Sequence, residues 1–335
     1  MITRYNLTIK GLCLQRKNGE YLLGSFCIST KMALQKSEQD IIINAPWGKI
    51  MGLAWGDPKN PPVLLCPGRI TPCSSYRPLV SKLPKCFYYV AIDIPGNGLS
   101  DHLPPGVKYT VFDLIPAIHN VVEHFKWDRF IYIGHSLGTV IGTYFCFAYP
   151  GRVSRFVQLD PIPLYETRSP SQFQSWYKAY YREYYDAARY KIFTNGKENA
   201  PKYTIEEAKG KIKSGHKISD ESVEHLLDRY VEPAGDGLYR FTYDQRQKMT
   251  TLIPFSPENV RLLTTSLDIP ILAILSKESI EIGSYSRVPF VLDESAWKNY
   301  RYKTVEGGHE IFIDNPGCMA EDIGRFLQEE TKSKL

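Results

Sequence analysis

The pentapeptide Gly134-His135-Ser136-Leu137-Gly138 constrains this chain more than any other stretch. It follows a run of aromatic and β-branched residues, Arg129-Phe-Ile-Tyr-Ile133, that reads as a buried strand. After it comes an apolar segment rich in small residues over 139–149, which reads as a helix stopped by Pro150-Gly151. G-x-S-x-G between a strand and a helix is the pattern of a nucleophile elbow. The turn holds the serine on strained backbone with its hydroxyl outward, so its neighbours must be small. The N–H of Leu137 then opens the helix and faces any oxyanion formed beside Ser136.

On either side of the elbow, strands and helices alternate. Residues 40–56 read as a hairpin around Pro46-Trp-Gly48, and 63–66 as a buried strand ending in Pro67-Gly68-Arg69. A helix over 74–83 and a strand over 87–92 follow, running into the glycine-rich loop Asp93-Ile-Pro-Gly-Asn-Gly-Leu-Ser100. Residues 111–125 form an amphipathic helix, and 153–159 another strand that ends at Asp160-Pro161. The rhythm returns with strands over 269–275 and 301–305, the loop Glu306-Gly-Gly-His-Glu310 and a closing helix over 319–329. This alternation predicts an α/β chain with a doubly wound, mostly parallel sheet.

Between residues 162 and 255 the strand signals stop. Helices are expected over 170–191, 204–214, 219–230 and 244–249, forming an inserted helical lid. The first carries seven aromatics between Phe173 and Tyr185, among which Trp176 and Tyr180 are expected to line an apolar substrate pocket. Lys209, Lys211, Lys213 and Lys217 read as a solvated face. The expected division is an N-terminal extension (1–39), the core in two parts (40–161 and 256–330) around the lid (162–255), and an exposed tail (331–335).

The formal charge of +5 is unevenly placed: residues 1–31 hold five cations against Glu20 alone, leaving the remaining chain at +1. A near-neutral body argues against a nucleic-acid surface. No apolar run is long enough for a membrane-spanning helix. The seven cysteines are scattered without a C-x-x-C, so neither a zinc site nor a disulfide framework is indicated.

A serine hydroxyl is a poor nucleophile at neutral pH until a base takes its proton, and that base is expected to be a histidine held by a carboxylate. In elbow chains the histidine comes last. Of the seven histidines, His309 alone stands on a Gly-Gly loop after the final strand, at the edge where strand C-termini present site residues. The acid has two candidates. After the strand over 269–275, where Gly-Asp-x-Asp is the usual pattern, the chain has Ser276-Lys-Glu-Ser279, with Glu278 the nearest carboxylate. Asp160, after the preceding strand at the same sheet edge, is the favoured candidate. The second oxyanion donor is the backbone N–H of Arg69, where Gly68 permits the turn. No metal or organic cofactor is implied.

Gly134-His-Ser-Leu-Gly138, Asp93-x-x-Gly-x-Gly-x-Ser100 and Gly308-His309, in this order, resemble the α/β-hydrolase superfamily. Within it, Ala45-Pro-Trp-Gly48, Phe87-Tyr-Tyr-Val-Ala91 and Leu159-Asp-Pro161 resemble the serine hydrolase-like, kraken-like group over about residues 40–330. The resemblance implies an α/β-hydrolase fold and a serine hydrolase with Ser136 and His309 in the roles above. It leaves the substrate open, since one fold hosts many chemistries. The departures are Pro67 for the usual histidine, Asn97 in the glycine loop, and no aspartate after the seventh strand.

The expectation is a hydrolase of a carboxyl ester or thioester with an apolar acyl group. The alternative is a hydrolase-fold protein that binds ligand without turnover. A dehalogenase or epoxide hydrolase would need an aspartate at position 136. Ser333-Lys334-Leu335 matches the tripeptide read by the peroxisomal import receptor, so the expected location is the peroxisome, with cytoplasm or mitochondrion as alternatives.

Overall fold

A computed structural model of the chain describes residues 38–197 and 200–329, and within the first 37 residues only a two-residue ladder pairing Arg16–Lys17 with Glu20–Tyr21. Most of the expected extension and the whole 331–335 tail lie outside the described residues. Glu38, placed by sequence in the extension, is part of the fold: its carboxylate accepts from the Trp55 indole at 3.1 Å and from Arg77.

Eight strands form one sheet: β1 (Gln39–Ala45), β2 (Gly48–Trp55), β3 (Pro62–Cys66), β4 (Tyr88–Ile92), β5 (Phe130–His135), β6 (Val153–Leu159), β7 (Ile271–Ser276) and β8 (Tyr300–Val305). Their spatial order is β1-β2-β4-β3-β5-β6-β7-β8. β1 and β2 form the antiparallel hairpin at one edge, β2 meets β4 antiparallel, and every pairing from β4 to β8 is parallel. β4, β5 and β7 are buried along their whole length, as strands covered on both faces must be. Successive residues of β5 feed opposite cores. Phe130 and Tyr132 pack with the helices Val111–Phe125 and Leu137–Ala148, whereas Ile131 and Ile133 pack on the side of Gly317–Gln328. This is the doubly wound, mostly parallel α/β-hydrolase fold.

Local signals set the helix ends. The helix Val111–Phe125 starts where Thr110 N donates to the Asp113 carboxylate at 2.8 Å, and Lys126, at φ 55°, ends it in the left-handed region. Helix Ile205–His216 starts on a reciprocal Thr204–Glu207 box.

Residues 162–255 add no strand to the main sheet. Three of the expected helical regions are present, as Ile205–His216, Asp220–Tyr230 and the 3₁₀ turn Gln245–Met249. The first one, over 170–191, is not a single helix. It breaks into Phe173–Tyr177, a π turn over Lys178–Arg182 and a separate helix Ala187–Thr194. Asp186 starts that last helix by accepting from Ala188 N and Arg189 N. A hairpin that the sequence reading missed joins Val231–Pro233 to Tyr239–Phe241. The insert is locked to the core by Arg229, whose buried guanidinium donates to Asp93 at 3.1 Å and to Asp40 at 2.8 Å.

Candidate active site

At the C-terminal end of β5 the backbone turns into the helix Leu137–Ala148 at Ser136, with φ 50° and ψ −117°. No serine adopts such backbone without a surrounding structure that imposes it. The two elbow glycines make the turn possible. A Cβ on Gly134 would lie 2.8 Å from the backbone of Gly138 and Thr139, and one on Gly138 would strike the Cys66 carbonyl at the end of β3. Strand, turn and helix are therefore packed backbone to backbone. Leu137 is the first residue of the helix, where N–H groups have no intrahelical acceptor.

Asp160 follows β6 and also sits at positive φ, 39°. Its carboxylate is buried and fully engaged. Oδ2 lies 2.6 Å from His309 Nδ1 and accepts from the Ser279 hydroxyl at 2.6 Å; Oδ1 accepts from Ser276 N and from the Tyr285 hydroxyl, both at 3.0 Å. Burial works against ionisation of Asp160, yet His309 and these donors outweigh it and hold the acid below its ordinary range. For His309, burial disfavours the imidazolium, but Asp160 and Glu310 outweigh burial and raise its pKa. Glu278, the other candidate acid, pairs elsewhere. Its carboxylate is half exposed and meets the Lys217 ammonium at 3.3 Å, while its N–H bonds Gly307 O. The structure thus brings Asp160 to His309 and leaves Glu278 on the surface.

Ser136 and His309 line one cavity of about 540 Å³, together with Gly68 and Arg69. The two side chains make no hydrogen bond in this structure; such bonds commonly tighten only around substrate. The Gly68–Thr71 turn that carries Arg69 is clasped by Asn97. Its buried amide donates to Gly68 O and Thr71 O, each at 3.1 Å. Asn97, a departure from the family pattern in sequence, is therefore a strut for the loop beside the serine.

Trp176 and Tyr180, expected in the pocket, are not among the residues lining this cavity. The break of the helix after Tyr177 turns the aromatic cluster aside. Trp176 packs on Phe173, Tyr180 and Tyr181, and Tyr180, Tyr181 and Tyr184 surround the Lys108 ammonium. The aromatic wall comes instead from Tyr203, Tyr230, Phe241 and Tyr243, which belong to the insert's later elements.

Beneath the site lies a second buried polar chain. Glu310 Oε1 meets His216 Nδ1 at 3.0 Å, and His216 Nε2 meets the Tyr230 hydroxyl at 2.7 Å. On the other side His135 Nε2 bonds His309 O at 3.1 Å and lies 3.7 Å from Glu310. Burial pushes His135 down to about 4. Burial opposes ionisation of Glu310 as well, but the three histidines hold its carboxyl at about 2. His135, His309 and Glu310 bring ligand-type atoms within 4.8 Å of one another; Asp160 holds His309 Nδ1, His216 holds Glu310 Oε1 and the backbone holds His135 Nε2, while Glu310 Oε2 and His135 Nδ1 have no hydrogen-bond partner. The sequence reading missed this chain, along with Ser279 and Tyr285. Glu310's place beside His309 was its one visible signal.

The alpha/beta hydrolase fold family matches residues 61–316, most of the chain. The chain belongs to that family. Among similar proteins, a serine hydrolase-like protein of Danio rerio is 28% identical over 307 residues, covering 90% of this chain and 92% of the relative. A probable serine hydrolase of Drosophila melanogaster is 26% identical, covering 88% and 89%. Of solved structures, a hypothetical protein from Pseudomonas aeruginosa superposes with a TM-score of 0.72 at 23% identity, covering 86% of this chain and 97% of that one. At that identity the likeness speaks for the alpha/beta hydrolase fold alone.

Proposed function

We propose that this alpha/beta hydrolase is a serine hydrolase that cleaves a carboxyl ester or thioester of an apolar acyl group through an acyl-enzyme. The observation that carries the reading is the 2.6 Å contact of His309 Nδ1 with a buried, four-times-bonded Asp160, in the same cavity as the strained Ser136. Held at Nδ1, the ring keeps Nε2 for the serine. His309 Nε2 takes the Ser136 proton as Oγ attacks the acyl carbon, and the N–H groups of Leu137 and Arg69 receive the oxyanion. When the tetrahedral adduct collapses, His309 returns that proton to the departing alcohol or thiol, leaving the acyl group on Ser136. Water, deprotonated by the same nitrogen, then releases the acid and restores the serine. The aromatic wall of Tyr203, Phe241 and Tyr243 suits the acyl portion.

The rival reading, binding without turnover, draws on Pro67 at the position of the family's usual histidine. The required donor is a backbone N–H, which proline at 67 does not remove from Arg69. A fluorophosphonate probe separates the two readings. Labelling of wild type but not of Ser136→Ala is expected, together with turnover of simple aryl esters; an unlabelled wild type would favour the binding protein.

The proposed location is the peroxisome, on the strength of Ser333-Lys334-Leu335, which lie outside the described residues.

A further inference from the structure

The cavity around Ser136 is less apolar than the sequence suggests, and its charges are unbalanced in one direction. Two carboxylates reach its wall, and each faces a basic side chain: Glu166 pairs with Arg168, and Glu310 meets His216 through Oε1 and lies 3.7 Å from His135 through Oε2. Three cations reach it too, Arg69, Lys211 and Lys248, and among the described residues none has a carboxylate partner. The lysine run of the insert makes the contrast plain. Lys209 pairs with Glu224, Lys213 with Asp220 and Lys217 with Glu278, whereas Lys211 alone faces the cavity. Its ammonium sits 4.9 Å from the Tyr203 ring centre, and that of Lys248 sits 5.2 Å from the Tyr243 ring centre. Ring faces hold an ammonium in place without neutralising it. Both lysines are exposed and so stand at the solvent edge of the cavity.

Arg69 lies deeper. Its Nε is buried with no hydrogen-bond partner, which is costly for a guanidinium unless a ligand supplies the acceptor. It also stands within range of a second cation. Burial first and the Arg69 charge second push Lys108 down to about 8, only partly offset by Asp113. An anion beside Arg69 relieves both the missing acceptor and the repulsion.

We propose that Arg69, Lys211 and Lys248 recognise an oxyanion, carboxylate or phosphate, carried by the substrate at the edge of the Ser136 cavity. The inference deepens the hydrolase reading and rests on it for the scissile bond only. The substrate class becomes an ester or thioester with an apolar acyl portion against the aromatic wall and an anionic group at the rim. The anion can come from either side of that bond. A dicarboxylic monoester carries a carboxylate on its acyl end, and an acyl-coenzyme A carries phosphates on its leaving thiol.

The test is steady-state kinetics of the full chain on matched pairs. One arm compares an aryl monoester of a dicarboxylic acid with its methyl-capped neutral twin. The other compares an acyl-coenzyme A with the same acyl group on uncharged N-acetylcysteamine. In at least one arm the charged member is expected to show a kcat/KM about tenfold higher, chiefly through KM, with the advantage shrinking at high salt. In the Lys211→Gln/Lys248→Gln double variant that ratio should fall towards one, and Lys248→Glu should lower it further. Equal kcat/KM within both pairs, or a preference that survives the double variant, overturns the proposal. Calorimetric binding of non-hydrolysable thioether analogues of the same pairs reads charge recognition without turnover. Anion-selective binding with no turnover of any ester would sink the hydrolase reading and leave this one standing; unselective binding would sink this one.

Discussion

The Ser279 hydroxyl donates to Asp160 Oδ2 at 2.6 Å. Ser279 occupies the place after the seventh strand where the sequence reading sought an acid, and in the folded chain it serves an acid that stands after the sixth. The same Oδ2 meets His309 Nδ1, so the serine and the histidine share one carboxylate oxygen. Moving the acid by one strand thus keeps the His309 contact, with a small polar donor filling the vacated position.

Loss of Asp160 should be the most damaging change outside Ser136 and His309. Asp160→Asn keeps the shape but favours the wrong tautomer of His309, and should lower kcat by about 10³–10⁴. Ser279→Ala removes one of four contacts to the carboxylate and should cost far less, about tenfold at most. Glu278→Gln, on the surface beside Lys217, should stay within about twofold of wild type. Aryl-ester kinetics on the three variants check this ordering, and a larger loss in Glu278→Gln than in Asp160→Asn would reverse the assignment of the acid.

The pH profile follows from the raised pKa of His309. The base acts in its neutral form, so kcat/KM should rise with pH through an acid limb whose midpoint lies above the ordinary histidine value of 6.5. The stability term has the opposite sense. A group whose pKa is higher when folded stabilises the protein below its unfolded pKa, and that contribution fades as pH rises through the folded value. Asp160→Asn should move the acid limb downward, because the largest contribution raising His309 is gone. A limb that stays put in the variant would contradict the coupling.

Glu310 ties the His309 loop to His216 of the insert. Glu310→Gln should leave the buried His216 poorly matched and lower stability by about 2 kcal/mol near neutrality. Because Glu310 is held at about 2 when folded against an ordinary 4.5, its contribution is present above 4.5 and is lost as pH falls towards 2. The gap in unfolding free energy between wild type and variant should therefore narrow under acid, which chemical denaturation at several pH values can follow. A gap independent of pH would show that the charge of Glu310 is not what matters.

Arg229 neutralises Asp93, which is fully buried at the end of β4 and also accepts from Cys73 N at 2.6 Å. Arg229→Met strands that carboxylate and should cost about 3 kcal/mol, loosening the insert as well. Denaturant unfolding measures the loss; a variant as stable as wild type would mean that Asp93 is satisfied without Arg229.

A fluorescent fusion at the N-terminus, with the C-terminus free, tests the proposed location. Puncta overlapping a peroxisomal marker should turn diffuse when Leu335 is deleted. A distribution indifferent to the deletion would show that Ser333-Lys334-Leu335 is not read.

Local chemistry made the elbow legible in sequence: only small residues fit at 134 and 138, and the flanking apolar run fixes a buried strand. His309 was legible because a Gly-Gly loop after the last strand puts it at the right sheet edge. The order of turn and strand signals also carried the parallel sheet. The rest depended on tertiary choices. Nothing local distinguishes Lys211 from Lys209 or Lys213; only the docking of helix Ile205–His216 over the cavity separates them. The aromatic repeat from Phe173 to Tyr185 has helical spacing, yet a π turn and the Asp186 cap redirect it, so Trp176 and Tyr180 miss the cavity. The service of Ser279 and Tyr285 to Asp160 joins residues more than a hundred positions away and has no short-range signature.

In the proposed chemistry Ser136 becomes acylated. Rapid mixing with an activated aryl ester, followed by acid quench and peptide mass analysis, measures this directly. A burst of leaving group approaching one per chain and an acyl adduct on the peptide containing Ser136 are expected, both absent in Ser136→Ala. Ester turnover that persists in Ser136→Ala, or an adduct mapped to another residue, would contradict that chemistry.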